Sequence, residues 1–146
     1  MGSRFSMDKA NPQSYAAMLA LEKYLISTSI DKKFKDLIKI RASQINGCDY
    51  CIELHTKEAR QHGETEQRIN ALNAWRDTAF FTPEERAVLA FTEAVTLIAD
   101  HHVSDEIYDE VRKYFDEAKI AEIIMAIVTI NGWNRIMITS QKTPAA

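Results

Sequence analysis

Nowhere does this chain alternate apolar and polar residues long enough to build a half-buried strand, and its helix breakers are few: four glycines and three prolines in 146 residues. That combination restricts the fold to helices. Pro12 opens a first helical stretch, with Tyr15, Met18, Leu19, Leu21 and Leu25 at apolar positions. Asp31 is placed to cap a second, which carries Phe34, Leu37, Ile38, Arg41 and Ile45 at helical spacing. Asn46-Gly47 stops it. A third stretch runs from about Cys48 to Gln61, with Gly63 behind it, and a fourth from about Thr65 to Trp75. Thr82-Pro83-Glu84-Glu85 has the composition of a capping box with proline at the first helical position, and its helix is expected to reach about Ala99. Ser104 caps another, to about Phe115, and the last is expected from about Lys119 to Thr139. The reading is one all-α domain, a bundle of about six to seven helices over residues 12–140, with tails at 1–11 and 141–146. Met7 is a candidate natural start.

Charge excludes some functions. With 18 basic and 21 acidic residues and no basic block, nucleic-acid binding has no electrostatic support. The first six residues lack the apolar core of a secretory signal. The apolar run near 120–130 is bounded by Glu122 and Asn131, short of the roughly 20 residues a membrane span needs, and reads as a buried helix. Ile123, Ile124, Ile127, Val128 and Ile130 cover so much of that helix that burial in an oligomer is expected.

The only two cysteines, Cys48 and Cys51, are three apart, with His55 four further on. Two cysteines do not make a secreted disulfide scaffold, so a reducing, cytoplasmic setting is expected, where Cys-x-x-Cys is a redox or metal-binding pattern. At about 100° per residue the three side chains fall within about 60° of one another on a helix. Residues three apart lie within disulfide range, about 4.4–6.8 Å between Cα atoms, so the bond can close and reopen with little backbone motion. The helix start favours thiolate, and the imidazole can take its proton or balance its charge. A thiolate attacks peroxide oxygen, and a second thiol at this spacing traps the sulfenic acid as a disulfide. Zinc fits poorly: only three ligands are local, and Cys48 and His55 rise about 10 Å apart along the helix.

The run from Asp36 to Arg60, including Ser43-Gln44-Ile45-Asn46-Gly47-Cys48 and His55-Thr56-Lys57-Glu58-Ala59-Arg60, resembles the AhpD-like alkylhydroperoxidases of the carboxymuconolactone decarboxylase superfamily. Residues 82–90 and 131–135 resemble the same family, so the likeness covers roughly 12–140. It implies an all-helical fold assembled as homotrimers or homohexamers, and reduction of hydroperoxides with an external dithiol or thiol protein as reductant. No cofactor and no metal are implied. In the family the second cysteine becomes the sulfenic acid (here Cys51), the first gives a proton and closes the disulfide (Cys48), and the histidine belongs to a proton relay (His55). The family glutamate twelve residues before the first cysteine is here Asp36, one methylene shorter, so a relay to Cys48 needs a water or a small helix shift. Tyr50 stands where the best-studied branch, which uses an acyl-carrier dithiol, has histidine. A protein disulfide relay or redox sensor, and a cofactor-free decarboxylase, are the competing functions.

Other polar residues read as structural. His101, His102 and His62 sit at helix ends as solvated groups, Glu53 and Glu58 as surface charges, and Trp75 and Trp133 as core or subunit contacts. Asn134 and Arg135 are expected to tie the last helix to its neighbours, with Arg135 a further candidate for binding an anionic substrate.

Overall fold

A computed structural model describes residues 3–144. Among the described residues the chain is helical throughout, with no strand. The helices are α1 (Met7–Ala10), α2 (Pro12–Ser27), α3 (Lys32–Asn46), α4 (Asp49–Gln61), α5 (Glu66–Ala71), α6 (Pro83–Thr96), α7 (Ile98–His101), α8 (Asp105–Arg112) and α9 (Glu117–Ser140), with a 3₁₀ segment at Leu72–Asp77. The all-α expectation holds. The count is higher than expected because the short helix α1 forms within the stretch expected as a tail, 1–11, and because two anticipated helices break, one adding α7 and the other the 3₁₀ segment. The fourth passes into the 3₁₀ segment, where Ala74 leaves helical geometry at φ −126° and ψ 33°. The sixth stops at Thr96, and Leu97 separates it from the single turn α7.

The capping signals act as the sequence indicates. Asp31 accepts from the Lys33 amide, and Ser104 from that of Ile107. Thr82 and Glu85 form the reciprocal capping box, with Pro83 at the first turn. Each satisfies an amide that the helix start leaves free, which contributes about 1 kcal/mol.

Helix α3 is the organising element because it is apolar on two sides. Phe34, Ile38 and Ala42 enter one cluster with Leu25, Val88, Phe91, Val111 and the α9 residues Ile120, Ile123, Ile127, Ile130 and Trp133. Leu37 and Ile40 enter a second with Ala59, Ile69, Leu72, Trp75, Phe81 and Leu89. At about 100° per residue the two sets are more than a quarter-turn apart, so α3 is covered by α9 and α6 on one side and by α4 and α5 on another.

Helix α9, at 24 residues, is long and apolar enough by length and composition to cross a membrane, and longer than the run read from the sequence. Its isoleucines at 120, 123, 127 and 130 are nonetheless buried in the first cluster. Ile124 and Val128 lie on its outer side, 37% and 47% exposed. Of the apolar residues expected on α2, Leu25 is buried, whereas Leu19 stays 46% exposed. At Gly132 a Cβ would stand 3.1 Å from Met18 Cε, so the missing side chain lets α2 approach α9 closely.

Candidate functional site

The end of α3 fixes where the dithiol helix begins. Gly47 lies at φ 71°, ψ 36°, a left-handed conformation open to glycine at no steric cost. Its amide donates to Gln44 O and the Cys48 amide to Ser43 O, closing the α3 end as a Schellman motif. Asparagines lock this corner to α9. Asn46 Nδ2 donates to Asn131 Oδ1 and Asn134 Oδ1, each at 2.9 Å, and Asn134 Nδ2 donates to Ser43 Oγ at 3.0 Å. Asn134 thus ties α9 to α3 as expected. Arg135 does not: it donates to the carbonyl and side-chain oxygens of Asn131, in its own helix.

Cys48 is the N-cap of α4, and its Sγ accepts from the Cys51 amide at 3.4 Å. The two cysteines form a disulfide with Cα atoms 5.3 Å apart, inside the expected range, and each is 2% exposed. Cys51 opens into a cavity of about 190 Å³ between α2, α3, α4 and α9. Helix α4 supplies Tyr50, Cys51, Leu54, His55 and Glu58. The other walls are Tyr15 and Glu22 from α2, Lys39 from α3, and Trp133 and Met137 from α9. Trp133 is a core residue that also presents a face here; its Nε1 donates to Glu22 Oε1 at 3.0 Å, and Tyr15 meets its ring edge-on at 5.6 Å.

His55, 7% exposed, lines the same cavity one turn from Cys51. Its Nδ1 is buried and has no hydrogen-bond partner. The nearest carboxylate oxygen, Glu58 Oε2, stands at 3.7 Å, which suits an ion contact but is too long for a hydrogen bond. The ring beside it holds the Glu58 carboxyl below its ordinary value against the opposing effect of burial. Glu58 therefore differs from the surface charge anticipated: it is half-buried and part of the cavity wall. A short-range signal exists for it, since i,i+3 places it on the His55 face of the helix. Glu22 and Lys39, whose charges approach to 3.8 Å, went unrecognised because they come from distant helices.

Asp36 is placed differently from the other three expected site residues. It is 4% exposed, and its Oδ2 accepts from or shares a proton with His62 Nδ1 at 2.8 Å. It lines neither the Cys51 cavity nor the opening at Cys48. It faces an adjacent cavity of about 260 Å³ with Lys39, Glu58, Glu22 and His62. Burial pushes its carboxyl up, opposed by His62 and Lys39. Asp36 is thus paired with a histidine, and His62 is not the freely solvated group expected. His101 and His102 are exposed, as anticipated. Among the described residues, no three His, Cys, Asp or Glu side chains converge as a metal site would require.

Residues 12–94 match the carboxymuconolactone decarboxylase family. The chain belongs to that family, in its AhpD-like branch. It is 45% identical over 138 residues to the uncharacterized protein YdfG of Bacillus subtilis strain 168, covering 94% of each chain. A crystal structure of a protein of unknown function from Agrobacterium tumefaciens, provisionally assigned to antioxidant defence as AhpD, is 39% identical with a TM-score of 0.98 over 99% of both chains. The debrominase Bmp8 shares the fold at 25% identity and a TM-score of 0.84, covering 94% of this chain and 74% of its own. The family therefore points to an enzyme, and its fold also occurs in a debrominase.

Proposed function

We propose that the protein is a thiol peroxidase that reduces alkyl hydroperoxides through the Cys48–Cys51 pair. The observation that carries this reading is the cavity in which Cys51 meets a buried imidazole whose Nδ1 has no hydrogen-bond partner, beside the Glu58 carboxylate. A buried polar atom left unpaired costs about 1–3 kcal/mol, and such a cost is kept where the atom has work in another state.

In the reduced protein His55 takes the Cys51 proton. Glu58, held ionised, is placed to balance the charge on the ring. The Cys51 thiolate attacks the terminal peroxide oxygen and breaks the O–O bond. The alkoxide leaves with the proton from His55 as an alcohol, and Cys51 becomes a sulfenic acid. Cys48 displaces the hydroxyl as water and closes the disulfide. An external thiol or dithiol small enough to reach the buried pair restores both thiols. Asp36, which lines neither sulfur's opening, assists through Glu58 across their shared cavity. Homo-oligomerisation completes the reading, with exposed Ile124 and Val128 on α9 as its apolar contribution. Sedimentation of a monomer alone would remove that part.

In a coupled assay, Cys51→Ser is expected to abolish peroxide consumption; unchanged turnover overturns the proposal. The decarboxylase reading, favoured by the name of the matched family, predicts instead that Cys48→Ser with Cys51→Ser leaves activity on a lactone acid intact. The relay reading needs a sulfur that a folded partner can touch, and 2% exposure of both cysteines weighs against it.

A further inference from the structure

Three openings meet around the cysteine pair. Besides the cavity lined by Cys51 and His55, a groove of about 230 Å³ runs along Cys48 between the start of α4 and the end of α9. A smaller pocket of about 110 Å³ is walled in part by the N-terminal residues 5–8. Among the described residues, Met137 is the one that lines all three. Its backbone is fixed near the end of α9, where its carbonyl accepts from the Lys142 amide at 2.9 Å and Gln141, in the left-handed region, closes the helix. The thioether itself turns freely about single bonds.

Exposure does not single this methionine out. Met7, Met18, Met125 and Met137 are all half-buried, and the last three pack against the same apolar cluster. Location does: of these four, Met137 alone lines the Cys51 cavity. The Cys48–Cys51 bond then matters. A sulfur held in a disulfide is no longer a thiolate and does not attack a peroxide. In that form the Met137 thioether is the group in the cavity wall most readily oxidised by two electrons. The rest of the wall offers phenol and indole rings, carboxylates, an imidazole and the Lys39 ammonium, all poorer oxygen acceptors toward a hydroperoxide.

Resting on the reading that hydroperoxides enter the Cys51 cavity, we infer that Met137 is a modification site, oxidised to the sulfoxide by hydroperoxide while the Cys48–Cys51 pair stands in its disulfide form. The thioether sulfur gives its lone pair to the terminal peroxide oxygen, an S–O bond forms and the O–O bond breaks. Sulfur loses two electrons and the peroxide gains them. The alkoxide takes up the hydroperoxide's own proton and leaves as an alcohol. The product sets a polar S=O among Leu54, Tyr15 and Trp133, at the point the three openings share. Peroxide that arrives faster than the pair is re-reduced thus alters the cavity itself. The change outlasts reduction of the disulfide, because a sulfoxide is restored by its own reductases. The walls also fix the face of sulfur that oxygen reaches, so one sulfoxide epimer forms in excess, whereas oxidation from open solvent gives both.

The test treats the disulfide form with cumene hydroperoxide and no reductant, so cysteine turnover plays no part, and follows methionine sulfoxide by peptide mass spectrometry. Oxidation of Met137 is expected to run about fivefold or more faster than that of Met7, Met18 or Met125. Methionine sulfoxide reductases A and B each act on one epimer. Applied separately to the digest, one should remove most of the Met137 sulfoxide and the other little. An equal split at Met137, or oxidation no faster than at the other three, overturns the inference. Leu54→Trp, which narrows this cavity from α4, should slow oxidation of Met137 about threefold or more and leave Met18 and Met125 unchanged. No protection of Met137 overturns its assignment to this cavity. Selective Met137 oxidation in a protein whose peroxide consumption survives Cys51→Ser leaves the modification site standing and removes the thiol-peroxidase reading. Turnover that depends on Cys51, with unselective methionine oxidation, removes the modification site alone.

Discussion

Two charged regions of the molecule are built on opposite rules. At the start of α6, Arg68 donates to Glu64 and Glu85 and to the Phe80 carbonyl, while Glu85, 1% exposed, also accepts from the Thr82 amide. Further along α6, Glu93 accepts from Arg41, Trp75 Nε1 and Arg76. These carboxylates have their partners, as buried charges must if they are to hold a fold together. In the Cys51 cavity the pattern is reversed: His55 Nδ1 is buried with no hydrogen bond, and the nearest carboxylate stops at 3.7 Å. The lesson is that counting buried charge does not locate chemistry. Unsatisfied hydrogen-bonding capacity beside a cysteine pair is the feature on which the proposed chemistry rests.

That contrast can be broken experimentally. If the cavity serves reaction rather than stability, His55→Gln should lower peroxide turnover by roughly 10²–10⁴-fold, the range for a lost acid–base group, and leave the urea midpoint nearly unchanged. A large fall in stability with little loss of rate would make His55 structural. If the α6 network is structural, Arg68→Ala should cost about 3 kcal/mol in urea unfolding, because Glu85 is left buried without its cation. An unchanged midpoint would remove the distinction between the regions.

Acid titration adds a second comparison, since Glu85 and Asp36, which lies outside the Cys51 cavity, respond with opposite sign. Burial pushes the Glu85 carboxyl up, but its bonds to Arg68 and the Thr82 amide outweigh that and leave it below its ordinary 4.5. Its contribution is therefore complete above that value and lost as pH falls through the lower folded one. Glu85→Gln should abolish this share of the acid destabilisation, seen as a flatter unfolding free energy below pH 4.5. Asp36 is held above its ordinary 3.8, so its ionised form costs stability at neutral pH, and the native protein regains that cost on acidification through the raised value. Asp36→Asn should change stability at pH 7 by no more than about 1 kcal/mol. On acidification toward pH 3.8 the difference should move in favour of the unsubstituted protein. A gap that stays constant with pH would mean that burial does not govern this carboxyl.

Much of the fold was legible because its signals act over three or four residues. The Thr82–Glu85 box, the Asp31 and Ser104 caps and the Gly47 stop are local matches between a side chain and a free amide or a φ angle. The breaks at Ala74 and Leu97 carried no such signal, since no glycine or proline marks them. The same range separates the residues found from those missed. Cys48, Cys51 and His55 lie within two turns of one helix. Glu22 and Lys39 reach the cavity from α2 and α3, and the Asp36–His62 pair joins residues 26 apart.

By itself the sequence determined a helical chain and a cysteine pair at a helix start with an imidazole one turn on, because helix geometry converts spacing into direction. Only the tertiary structure decided which carboxylate stands beside that imidazole, that Asp36 turns to His62, and that the two cysteines line different cavities. Those outcomes depend on how α2, α3, α4 and α9 pack, and helix packing is set by whole apolar faces rather than by any short run of residues.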